Sequence, residues 1–77
     1  MYIWTVNLEE HWPYDSRGDF NNNHGDYTVV AKTIEEAMKK AIKIAMSGTG
    51  EDEDTGKVIH IMSVRVKSAV RESELDA

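Results

Sequence analysis

Six residues with large or titratable side chains fall close together in the N-terminal third of the chain: His11, Trp12, Tyr14, Arg17, Phe20 and His24. Trp, Tyr and Arg concentrate binding energy at protein interfaces, because each combines a large rigid contact area with a polar end. They lie within residues 9–25, EEHWPYDSRGDFNNNHG, where Pro13, two glycines and a run of asparagines point to a long irregular loop. Loops between neighbouring strands usually take about 2–5 residues, and oversized loops in small domains often carry function. Two readings stand side by side. The aromatic and histidine groups meet a partner, or Trp12 and Phe20 fold back to cap the core.

Metal chemistry is the next class to weigh. Asp19, Asn21 and Asn23 alternate as calcium-loop ligands do, and Gly25 and Asp26 follow. The glycine stands one place too late, however, and no glutamate closes the loop at its twelfth position. Asp15, Asp19, His11 and His24 include zinc-ligand types, but without the His-x-x-x-His or His-Glu-x-x-His spacing that fixes a site. Asparagine-rich loops more commonly satisfy their own turns, so no metal or cofactor is expected. Arg17-Gly18-Asp19 spells the integrin-binding tripeptide, and the plain reading is a turn. His60 sits in an apolar strand and reads as a half-buried structural histidine. No nucleophile motif, paired-carboxylate pattern or phosphate-binding glycine loop is present, so no enzyme is expected. Glu51, Asp52, Glu53 and Asp54 form a like-charge run. It is either a solvated turn or a phosphate-like surface for a basic partner, which Glu72, Glu74 and Asp76 would extend.

The element that must position these groups is residues 33–47, TIEEAMKKAIKIAMS. Ile34, Ala37, Met38, Ala41, Ile42 and Ala45 recur at the spacing of one helical face. Thr33 is an N-cap that Glu36 completes as a capping box. Glu35 and Glu36 lie at the end of the helix that favours anions, and Lys39, Lys40 and Lys43 lie nearer the other end. Gly48 and Gly50 are expected to stop the helix in a left-handed C-cap. Ile44 and Met46 widen the stripe, toward loops and chain ends or toward a partner.

Strands flank the helix. Residues 2–8 alternate, with Tyr2, Trp4, Val6 and Leu8 on one face and Ile3, Thr5 and Asn7 on the other. Residues 26–32, DYTVVAK, form a second strand with Tyr27, Val29 and Ala31 toward the helix. Residues 57–67, KVIHIMSVRVK, form a third. Its alternation changes phase between Ile61 and Met62, through a bulge near Ile61 or because both faces of its first half are covered. Residues 68–77 read as a polar acidic tail, frayed or as a short helix. The expected fold is therefore α+β, a single β-β-α-β domain over residues 1–77. Its three-stranded antiparallel sheet has the order 2-1-3, one helix packs on one face, and the other face and both edges stay open.

Composition sets the outer limits. With 77 residues the chain makes one small domain, and with no cysteine it has no disulfide staple. That usage fits a reducing cytoplasm. The N-terminus carries no secretion-signal pattern, and no stretch approaches the roughly 20 apolar residues of a membrane span. A formal net charge of −5 argues against direct binding to a nucleic-acid backbone, the helix lysines being the best local exception.

The junction Tyr27-Thr28-Val29-Val30-Ala31-Lys32-Thr33-Ile34-Glu35-Glu36-Ala37, continuing to Ala41, resembles the strand-to-helix step of HicB-like antitoxins, which carry a similar Thr-x-Glu-Glu-Ala pattern. That resemblance implies a regulatory homodimer. In size, acidity, lack of cysteine and element order the chain is also similar to small phage-encoded inhibitors of bacterial defence, including anti-CRISPR proteins. Those act by steric or charge-mimicking binding to a larger complex. The leading expectation is a non-enzymatic protein-binding module that meets a larger host protein or complex through His11, Trp12, Tyr14, Arg17, Phe20 and His24. The acidic residues Glu51, Asp52, Glu53 and Asp54 would assist. The alternative is a homodimer through a sheet edge or the open sheet face.

Overall fold

Period-two patterning at the N-terminus becomes the centre of the molecule. A computed structural model describes residues 1–13, 21–52 and 55–75, with residues 21 and 22 described by their backbone. Strand β1, Tyr2–Trp12, pairs antiparallel with β2, Asn21–Ala31, and along its other side with β5, Ser63–Glu74. Helix α1, Ile34–Met46, follows β2, and the short strands β3, Thr49–Glu51, and β4, Val58–His60, pair in a separate two-stranded sheet. The main sheet has the order β2-β1-β5, with the first strand in the middle as the sequence implies.

Trp4, Val6 and Leu8 of β1, Val29 and Ala31 of β2, and Ala37, Ala41 and Ala45 of α1 form the core with Ile61. The deepest helix residues are three alanines spaced four apart, so a row of methyl groups faces the sheet and lets the helix approach closely. Ile34, expected in that stripe, is exposed. The Trp4 indole donates to the Ala31 carbonyl at 3.0 Å, which satisfies the one polar atom of the largest core side chain.

The start of α1 follows its sequence signals. The Glu36 amide donates to Thr33 Oγ1 at 3.2 Å, and Glu36 Oε2 accepts from the Lys32 amide at 3.3 Å. The reciprocal half of the capping box is thus shifted one residue outward. The helix end differs from expectation. The C-cap is Ser47 in right-handed geometry, with its hydroxyl donating to the Ile44 carbonyl at 2.8 Å. Among the described residues only Gly56 has a positive φ, 71°. Gly48 and Gly50 serve close approach instead: a Cβ on Gly48 would lie 3.1 Å from the Ala45 carbonyl oxygen, and one on Gly50 would lie 3.1 Å from Trp12 Cζ3.

Much of the expected loop 9–25 is ladder. Glu9 pairs with His24, Glu10 with Asn23, His11 with Asn22 and Trp12 with Asn21. Pro13 stands just past the last pair, where it removes no ladder hydrogen bond. The asparagines enter an edge strand held by β1, whose other side is held by β5.

The expected strand 57–67 divides instead of running through. Its first part pairs with β3, the chain then crosses sheets at Ile61 and Met62, and β5 runs on to Glu74. The expected tail is therefore mostly strand, the second half of the β5 edge. Two register shifts break the alternation that would mark it as a strand. Val66 pairs with Leu8 and Ser68 with Asn7, which leaves Lys67 as the extra residue. Arg71 pairs with Trp4 and Ser73 with Ile3, which leaves Glu72. Each bulge reverses the apolar phase.

Candidate functional site

With α1 on one face of the main sheet, the side chains pointing the other way form the candidate site. Among the described residues no helix or strand covers them. On β1 these are Ile3, Thr5, Asn7, Glu9 and His11; their ladder partners include Val30, Thr28, Asp26 and His24 on β2 and Val70, Ser68 and Arg65 on β5.

The face has two halves. At the hairpin end, Glu9 Oε2 lies 3.4 Å from Arg65 Nη2 and 3.6 Å from Lys67 Nζ, and Glu9 Oε1 lies 3.5 Å from His11 Nε2. One carboxylate thus gathers three basic groups, and His24 sits opposite it on β2. Arg65 and Lys67 are well exposed, so these pairs contribute on the order of 0–1 kcal/mol to stability. Their effect is to fix a charge pattern. Asn7 Nδ2 donates to Asp26 Oδ1 at 2.7 Å in the middle of the face. Beyond it the surface turns apolar: Ile3 pairs with Val30, and Thr5 with both Thr28 and Val70. Val70 is 52 % exposed and Val30 38 %.

The ladder separates residues that the sequence groups together. His11 and His24 are diagonal neighbours on the open face. Trp12, next to His11, points the other way, packs against the core and lies beside Gly50. Asp52 shapes the connection from β3 to β4: its side chain accepts from the Thr55 amide at 3.1 Å and its carbonyl from the Gly56 amide at 2.8 Å. Glu51 is exposed in β3. Tyr14, Arg17, Phe20, Glu53 and Asp54 lie outside the described residues, as do the Arg17-Gly18-Asp19 tripeptide and Asp15. His60, expected to be half-buried, is exposed.

Two features were not anticipated from the sequence. Glu10, which falls in the expected loop 9–25, is 6 % exposed on the core face. The Tyr27 hydroxyl donates to its Oε1 at 2.8 Å, and a Cβ on Gly25 would stand 2.5 Å from the same oxygen. Burial first, then the hydrogen bond and charge of Glu10, push the Tyr27 phenol above its ordinary pKa. The signal was available, since Glu10 continues the Tyr2-Trp4-Val6-Leu8 alternation. The second feature is a groove of about 310 Å³ between the β2 edge and α1, lined by Thr28, Val29, Val30, Lys40, Lys43 and Ile44.

Among the described residues no group of three or more His, Asp or Glu side chains is placed to hold a metal ion. None of their helices is long and apolar enough to cross a membrane. Comparison with protein-family models, curated proteins and solved structures finds no match to this chain.

Proposed function

We propose that this chain is a small protein-recognition module whose binding surface is the open face of the three-stranded sheet. The observation that supports this most is the make-up of that face. An apolar strip of Ile3, Val30 and Val70 runs into a charge cluster of Glu9, His11, Arg65 and Lys67. An apolar centre beside ordered charges is the usual composition of a protein interface, with the charges setting orientation and partner choice. His11 and His24 belong to this surface, and Trp12 supports it from behind.

The proposed partner is a larger protein. A net charge of −5 and the acidic connection after Glu51 favour one with basic character. In size and acidity the chain is similar to phage-encoded inhibitors, so a bacterial defence complex is the first target class to try. A homodimer is the second reading. The observation favouring it is exposed Val30 beside half-buried Ile3, with exposed Val70 nearby, a strip apolar enough to meet its own copy.

The test is affinity capture with wild type and Val70→Asp, alongside light scattering of both. Val70 is exposed, so the variant keeps its fold, as circular dichroism will verify. A partner held in stoichiometric amount by wild type and lost by V70D supports the module. A wild-type dimer that V70D makes monomeric supports the second reading. Equal capture and equal mass in both proteins remove the open face from either account.

A further inference from the structure

The groove beside β2 shares Thr28 and Val30 with the open face but is completed by Lys40, Lys43 and Ile44 of α1, and its chemistry is more specific. β2 is an edge strand, so one side of its backbone has no neighbouring strand. The Val30 carbonyl points outward, and Lys40 Nζ donates to it at 2.6 Å. Because edge groups alternate along a strand, the backbone groups of Asp26 and Thr28 point the same way as those of Val30. A side chain thus fills one position of a missing hydrogen-bond ladder, a common way of blunting an edge.

An extended peptide laid along Asp26–Val30 would bring its own N–H to the Val30 carbonyl and release Lys40. The freed ammonium and Lys43, which has no ion-pair partner among the described residues, would then face the peptide's α1-side residues. Glu36 Oε1, 3.4 Å from Lys40 Nζ, offsets part of that charge and leaves the groove net positive. Ile44, 51 % exposed, and Val29 supply apolar wall. We infer that the β2–α1 groove accepts an acidic strand-forming peptide. Main-chain bonds to the β2 edge would provide affinity, and carboxylates over Lys40 and Lys43 with an apolar residue against Ile44 would provide selectivity.

A second copy of this chain is a poorer occupant. Two-fold pairing of β2 with β2 would set the Lys40 and Lys43 of each copy near those of the other. The inference rests on Lys40, Lys43 and Ile44 of α1, which the open face does not include, so either surface can fail without the other.

The test uses the full chain and a short fluorescein-labelled peptide alternating glutamate and valine. Its controls are the same peptide with lysine for glutamate, and the same peptide N-methylated on alternate amides so that it cannot pair. Binding is read by fluorescence polarisation and mapped by amide chemical shifts. The glutamate peptide is expected to bind, to shift amides in residues 26–30 and 40–44, and to weaken at high salt. Lys43→Glu, an exposed change, should cost about tenfold or more in Kd, because attraction becomes repulsion. The inference is overturned if the lysine or N-methylated peptide binds equally well, or if Lys43→Glu leaves Kd unchanged. Shifts confined to β1 and β5, with none in residues 40–44, overturn it too, as does the absence of binding at millimolar peptide. Concentration-dependent self-association that blocks the peptide would make a second copy the occupant and overturn it also.

Discussion

The two faces of the main sheet share one backbone and differ in almost everything else. On the α1 side, Trp4, Val6 and Leu8 interlock with three alanines, and the polar groups, Glu10 and the Trp4 indole, have named partners. On the other side, valines stand in solvent beside a carboxylate that gathers Arg65, Lys67 and His11. One face is organised to exclude water and the other to present a pattern. The difference teaches where substitutions should report on folding and where they should report on binding.

The largest expected effect breaks the covered face. Leu8 is fully buried, and Leu8→Ala should cost about 2–5 kcal/mol. At roughly 4–8 °C per kcal/mol for a domain of this size, the melting temperature should fall by roughly 8–40 °C. On the open face Val70→Asp should change stability by about 0.5 kcal/mol or less, as thermal denaturation will measure. Similar losses at both positions would mean that the open face is covered.

Trp12→Ala comes next. Trp12 is half-buried against the core and touches the Gly50 position, so its loss should cost about 2 kcal/mol. Amide exchange should quicken in Thr49–Glu51 and Val58–His60 before it does in α1. A Trp12 change is therefore a probe of stability, and it cannot stand as a clean test of binding.

The pair of buried Glu10 and half-buried Tyr27 gives a pH-dependent distinction. The folded phenol titrates above its ordinary value, so above about pH 10 the unfolded chain releases a proton that the folded chain keeps. That stability is fully present below pH 10 and is lost as pH rises through the folded value. Tyr27→Phe should flatten this alkaline slope. At neutral pH it should cost about 1–3 kcal/mol, because the buried carboxylate loses its donor. Urea denaturation at pH 8 and pH 10.5 measures both effects. The smallest expected change is Glu9→Gln, at about 0.5 kcal/mol or less, since two of its partners are largely exposed.

How far these faces could be read from the sequence varied with the bulges. Tyr2 to Leu8 was plain, because its alternation is uninterrupted and its neighbour across the ladder, Val29, keeps phase. The helix start was plain through Thr33 and Glu36. The C-terminal half of β5 was hidden, because Lys67 and Glu72 each add a residue and reverse the facing of the residues beyond them. The hairpin's length was hidden by Pro13 and the asparagines, which read as breakers although Pro13 lies beyond the ladder. Grouping Trp12 with His11 as one binding cluster failed for a simple reason: successive strand residues point to opposite faces. The groove depends on α1 lying beside the β2 edge, a tertiary relation with no local pattern, although its lysines were visible as a basic stretch.

The most direct measurement of the open face's role is quantitative affinity capture with three tagged proteins side by side: wild type, Val70→Asp and Lys43→Glu. The predicted result is a partner, or a second copy, held by wild type and by Lys43→Glu and lost from Val70→Asp, with all three equally folded by circular dichroism. Retention of that partner by Val70→Asp would contradict a binding role for the open face.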